Sequence, residues 1–152
     1  MPDPISFAAA SPRLGLPYLF AAQTQKEFFV NEALARVDSL LHGAIEGSAE
    51  TPPAMPAEGE CWLVGSTPTD AWLGHAGELA CHQSGNWLFV SPRDGLRVLD
   101  RESGQLVLYR NGWQRPAAPA SPSGGATVDA EARAAIDALL ALLREAGVLP
   151  AS

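Results

Sequence analysis

The stretch ELACHQSGNWLFVSPRDGLRVLDRESGQLVLYRNGWQ, residues 78–114, decides the fold class. Runs rich in Trp, Leu, Val, Phe and Tyr (GELACHQ, NWLFVSP, GLRVLD, QLVLYR) are punctuated by SGN, RDG, ESG and NG, the alternation of strand and tight turn. With ECWLVG just upstream, the pattern predicts an antiparallel meander over residues 60–115, either a curled sheet or a small barrel. Asn111-Gly112 is its strongest turn signal, since a two-residue type I′ hairpin needs positive φ at both central positions. Gly85-Asn86-Trp87 and Asn111-Gly112-Trp113 echo one another, each delivering a Trp into the next strand.

Outward from the meander, the grammar changes on both sides. Residues 46–59 are a Pro-rich linker with a Pro52-Pro53 step that favours extended backbone. Before it, Val30, Leu34, Val37 and Leu41 recur at helical spacing over residues 24–44, with Thr24 as N-cap, Glu27 at the capping-box position and Glu27, Asn31, Arg36 and Asp38 elsewhere around the wheel. The helix follows an arm broken by Pro12 and Pro17, so residues 1–45 read as arm plus anchoring helix. Residues 116–126 are a low-complexity linker. Residues 127–149 close the chain as a helix with an Ile136, Leu139, Leu140, Leu143 stripe, Thr127 or Asp129 as cap, and Gly147 and Pro150 as stop. The class is α+β: N-terminal arm and amphipathic helix, small antiparallel β-meander or barrel-like domain, C-terminal helix.

Composition limits function. The 152 residues carry a formal charge of −7, and the ten Lys and Arg are scattered along the chain, which argues against nucleic acid as a partner. No run is long enough to span a membrane, and the acidic, Pro-interrupted start is unlike a cleaved signal peptide. Two cysteines, Cys61 and Cys81, are too few for a disulfide framework and read as packed thiols; with His75 and His82 they offer zinc-type ligands but no zinc spacing, so no metal or other cofactor is expected.

Catalytic machinery is not expected either. Glu58, Glu60, Asp70, His75, Glu78 and His82 supply acid–base groups without a recognisable spacing, and G-x-S-x-G, H-E-x-x-H and phosphate-loop patterns are missing from the sequence. The tryptophans raise a sugar-binding alternative, in which Trp72 is an exposed stacking platform and Asn86 and Asn111 hydrogen-bond hydroxyls; the other tryptophans read as core.

RLGLPYLFAAQTQKEFFVNEALARVDSLL, TPPAMPAEGECWLVG, AWLGHAGELA, NWLFVSPRDGLRV and YRNGWQ together resemble an uncharacterised domain family encoded in alphaproteobacterial prophages and gene transfer agents. The similarity runs from Ser11 to Gln114, and the chain departs from the family pattern at Ala22 and Asp70, where glycine is usual, and at Phe28-Phe29. The resemblance implies a non-enzymatic virion protein, assembled in the bacterial cytoplasm, forming the base or adaptor of a head spike or tail fibre. Its partners would be capsid, portal, tail or fibre subunits; the apolar stripe beyond the flexible linker adds further copies of the chain, in a homo-oligomer such as a trimer, and the sugar-binding alternative adds a host surface polysaccharide. On that reading Leu14, Leu16, Tyr18, Leu19 and Phe20 of the arm, with Ile136, Leu139, Leu140 and Leu143, form the assembly interface, unless the arm folds back on its own domain.

Overall fold

A computed structural model describes residues 10–19, 26–125 and 129–151. Among them the fold is α+β, with two α-helices and eight short strands in two sheets. The chain divides into two compact units, Met1–Pro92 and Arg93–Ser152. That division falls within the stretch read as one meander.

In the first unit the arm precedes α1 (Lys26–Leu40), followed by the two-residue strands β1 (Ala44–Ile45) and β2 (Ser48–Ala49), then β3 (Cys61–Val64), β4 (Leu79–Gln83) and β5 (Asn86–Val90). The sheet order is β2-β3-β4-β5. The pairs β3–β4 and β4–β5 are antiparallel, as the meander predicts, whereas β2 adds to β3 in parallel through Ser48 opposite Leu63. Ser84 and Gly85, with φ of 52° and 73°, make the tight two-residue turn between paired Gln83 and Asn86. The type I′ chemistry expected at Asn111-Gly112 is therefore found here.

Alternation along the strands places Val64, Ala80, Trp87 and Phe89 on one face of this sheet, where they pack with Ala49, Trp62 and Trp72. Trp72 belongs to a short 3-10 turn, Asp70–Trp72, in the loop between β3 and β4, and it is fully buried. Its ring meets that of Trp87 edge-on, with centroids 5.2 Å apart. The expectation of an exposed Trp72 platform is overturned. Glu50 folds the loop inward: its carboxylate accepts the Ser66 and Thr67 N–H groups at 3.2 and 2.6 Å, and its carbonyl accepts the Thr69 N–H at 2.8 Å. A loop so pinned delivers the largest apolar side chain available onto an otherwise bare sheet face. Asp70 has a φ of 50°, the left-handed conformation that glycine adopts without a Cβ penalty.

The opposite face carries Leu63, Leu79, Cys81 and Gln83, all buried. Gln83 donates from its amide to the Ala35 carbonyl and the Ser39 hydroxyl of α1, each at 3.2 Å. On α1 the buried residues are Glu27, Ala35, Asp38 and Ser39, while Val30, Val37 and Leu41 of the expected core stripe are exposed. The helix is thus turned from its expected orientation, because its inward contacts are polar ones.

Cys61 and Cys81 are directly opposed in the β3–β4 register, with Cα atoms 4.1 Å apart, and are joined as a disulfide. This corrects the expectation of two packed thiols. Their partnership is set by strand register, which the spacing of two cysteines alone does not reveal.

In the second unit β6 (Arg97–Asp100), β7 (Gln105–Tyr109) and β8 (Trp113–Gln114) pair antiparallel. Val98, Asp100, Gln105 and Val107 are buried on one face. Asn111 has a φ of 50° and sits in a turn one residue longer than the two-residue form, because Tyr109 pairs with Trp113. Helix α2 (Ala130–Glu145) starts at Asp129, whose carboxylate accepts the Ala132 N–H at 2.9 Å. It ends in a Schellman arrangement: Gly147, with a φ of 68°, donates to Arg144, and Val148 donates to Leu143. The tail beyond is docked on its own unit, with Leu106 donating to Gly147 at 2.6 Å and Ala151 to Ser103 at 2.9 Å. A helix merely tethered by a linker was expected; the tail's backbone bonding is what holds it instead.

Candidate functional site

The arm, α1 and the β4–β5 turn form the best-organised polar site of the first unit, centred on Asp38. Its fully buried carboxylate accepts the Ser11 hydroxyl at 2.6 Å, the Leu14 N–H at 2.6 Å and the Arg13 N–H at 3.1 Å. Three donors from one turn of the arm satisfy an anion that burial would otherwise penalise heavily. The Arg13 guanidinium completes the joint by donating to the carbonyls of Asp38, Ser39 and His42, at the C-terminal end of α1 where carbonyls lack helical partners.

Further along, Asn31 clasps the backbone of Leu19, accepting its N–H at 2.9 Å and donating to its carbonyl at 3.1 Å. The Tyr18 hydroxyl donates to Gln83 at 3.3 Å. Gly59 lies so close to the arm that a Cβ there would stand 2.9 Å from Cγ of Arg13. Its neighbour Glu58 accepts the Ser84 and Gly85 N–H groups at 2.6 and 2.9 Å and fixes the β4–β5 turn. Slight burial pushes the Glu58 carboxyl up, but those two N–H groups outweigh it and hold the group below its ordinary range.

The arm therefore folds back on its own unit through its backbone and polar groups, and its apolar side chains are only partly used. Leu14 is exposed, Leu16, Tyr18 and Leu19 are half-buried, and Phe20 lies outside the described residues. On α1, Phe28 and Phe29 are 70% and 79% exposed. On α2, Leu139 and Leu142 are 55% and 61% exposed, and Ile136 is exposed as well. Leu143 is half-buried and Leu140 is buried.

The residues expected to contact sugar are not one set. Trp72 has no face to offer, and Asn111 belongs to the second unit, where its N–H donates to Asp94 at 2.9 Å. Asn86 stands beside Trp87 at a cavity of about 580 Å³, lined also by Tyr18, Phe28, Asn31 and Glu32.

Among the acid–base groups, Glu78 bridges two partners: the Ser91 hydroxyl donates to one carboxylate oxygen, and His75 Nδ1 lies 2.8 Å from the other. The Ser91 hydrogen bond, with help from His75, holds Glu78 below its ordinary range despite partial burial. With the carboxylate in the middle, the imidazole is not placed to take the serine proton, the reverse of a nucleophile–imidazole–carboxylate relay. His75 stacks on Phe89 with centroids 3.5 Å apart. His82 Nδ1 lies 3.4 Å from Glu58. Among the described residues no group of three or more His, Cys, Asp and Glu side chains is placed to hold a metal ion, and no helix is long and apolar enough to cross a membrane.

Residues 30–114 match the family described as protein of unknown function (DUF2793), more than half of the chain. The chain belongs to that family. The DUF2793 match takes in most of α1 and every strand, and leaves out the arm and α2. No curated protein matches the chain. Within the DUF2793 segment, Asp38, Glu50, Glu58 and Gln83 fix the fold, a role the sequence did not mark: Asp38 read only as a polar position on the helical wheel and Glu58 only as an acid–base group. Their partners lie between 16 and 48 positions away, so no local period marks them. The one available signal was the PAEG block, whose Glu58 and Gly59 pin a turn and admit the arm.

Proposed function

We propose that the chain is a non-enzymatic structural subunit of a phage or gene transfer agent particle, acting as the base or adaptor of a head spike or tail fibre in host attachment. The observation that carries this reading is the exposed Phe28-Phe29 pair on α1, continued by exposed Val30, Val37 and Leu41. Each such side chain gains about 1.5 to 3 kcal/mol when buried, so a helix whose apolar side faces water is suited to an assembly in which a neighbour covers it. The exposed residues of α2 offer a second surface of the same kind, for self-association or for a fibre component.

Labelling the tagged chain on purified particles is the direct test, with label at discrete positions on head or tail as the expected result. Particles without label, from cells that make the chain, would remove the proposal. Light scattering adds the solution state: an oligomer is expected, dissociating in Leu139→Asp or in the double variant Phe28→Ser, Phe29→Ser.

A second reading, a carbohydrate-binding module for host polysaccharide, draws support from the cavity where Trp87 and Phe28 meet Asn86. Glycan-array binding that is lost in Trp87→Ala would favour it over a purely structural role.

A further inference from the structure

The second unit gathers arginines that are far apart in sequence. Strand alternation puts Arg97, Leu99, Leu106, Leu108 and Arg110 on the sheet face opposite buried Val98 and Val107. Arg97 is directly across from Leu108, which is also opposite Gln114 of β8. Of these, Arg97, Leu106, Leu108, Arg110 and Gln114, together with Arg115, Pro116 and Val148, line a cavity of about 490 Å³. The size suits a small molecule. Three of the ten basic residues of a chain with a net charge of −7 meet there.

Their roles differ. Arg115 is ion-paired with the buried Asp100 carboxylate and is committed to the fold. Among the described residues no carboxylate pairs with the guanidinium of Arg97 or Arg110. The floor between them is apolar yet open to water, with Leu106 and Val148 both exposed. Two unpaired guanidinium groups over leucine and valine surface are complementary to a ligand that carries an anionic head on an apolar body.

We propose that this cavity binds an amphipathic carboxylate, its apolar body on Leu106, Leu108, Pro116 and Val148 and its carboxylate on Arg97 and Arg110. The site lies within the second unit and does not depend on the assembly reading.

Calorimetric titration of the full-length protein with octanoate, below its micelle concentration, tests it against two controls: acetate, which has the head without the body, and octanol, which has the body without the head. Octanoate should give a saturable isotherm and bind at least about tenfold tighter than either control. Arg97→Gln and Arg110→Gln should each weaken octanoate by about tenfold, the loss of a charge-assisted hydrogen bond, while thermal melting stays as in the wild type. Equal binding of octanol would reduce the site to bare apolar surface, and equal binding of acetate would make it a simple anion site. Either result overturns the proposal, as does octanoate binding that both arginine variants retain, or none at millimolar concentration.

Discussion

Ser11 and Asp38, 27 positions apart, are joined by a 2.6 Å hydrogen bond from hydroxyl to carboxylate in the buried interior of the first unit. Because the same carboxylate also receives two backbone N–H groups, the arm and α1 stand or fall together. Asp38→Ala should cost about 3 kcal/mol, since it removes the shared acceptor of three arm donors, one of them the buried Ser11 hydroxyl. Ser11→Ala alone should cost about 1 kcal/mol. Urea denaturation of both variants and the double variant is the measurement, and the two losses should be non-additive, as expected of residues sharing a partner. Deleting residues 11–22 should likewise lower stability rather than leave the sheet untouched.

Reduction should loosen the same unit from another side. The Cys61–Cys81 bridge closes a loop with a sequence separation of 20, and cross-links over loops of that size are worth about 3 kcal/mol. Melting in the presence of dithiothreitol should therefore fall well below the oxidised value, and Cys61→Ala should match the reduced protein. A thiol count by alkylation under denaturing conditions, done without reductant, should find no free cysteine. Two reactive thiols in protein kept under air would show that the bridge does not form.

Trp72 is the largest fully buried side chain among the described residues. Trp72→Ala should cost about 3 to 5 kcal/mol through the cavity it leaves, whereas Trp113→Ala, at a half-buried position of the second unit, should cost far less. Thermal melting separates the two. If the loop carrying Trp72 were an exposed binding platform, the order would be reversed.

Acid should destabilise the protein in a defined window. Burial pushes the Asp100 carboxyl up, but Arg115 and Ser103 more than offset it, and the group sits below its ordinary value of 3.8; Glu78 sits below 4.5, chiefly through Ser91. A carboxyl lowered on folding contributes stability that is fully present above its unfolded value and is lost as pH falls through its folded one. Stability should thus hold from neutrality to about pH 5 and decline below about pH 4. In Asp100→Asn the decline should be shallower and the stability at neutral pH lower.

How much of this was legible in the sequence depended on the range of each interaction. The ends of α2 were readable because Asp129 and Gly147 act within a turn of their own backbone. Strand existence was readable for the same reason: β4, β5, β6 and β7 carry their apolar residues and turn signals locally. The orientation of α1 was not, because its Val30, Leu34, Val37, Leu41 period looks like a core stripe, while the helix is turned by Asp38 and by Gln83, a residue 48 positions from Ala35. The burial of Trp72 was hidden for a related reason. A loop rich in Gly, Thr and Pro looks solvated until Glu50, well before it in sequence, is seen to hold its N–H groups. As for the site, the expected arm and α2 residues are mostly partly or fully exposed, while the cavity lined by Arg97 and Arg110 exists only once strand pairing brings them to one face.

The docking of the tail has a mechanical meaning. Residues 147–151 are stitched to the β6–β7 hairpin by successive bonds, Leu106 to Gly147, Gln105 to Val148 at 3.0 Å and Ala151 to Ser103. A tension entering at that end travels through these stitches before it reaches β7, and it loads them one at a time. Such a strip is expected to act as a fuse, unzipping under pull and lengthening the second unit while Val98 and Val107 remain paired.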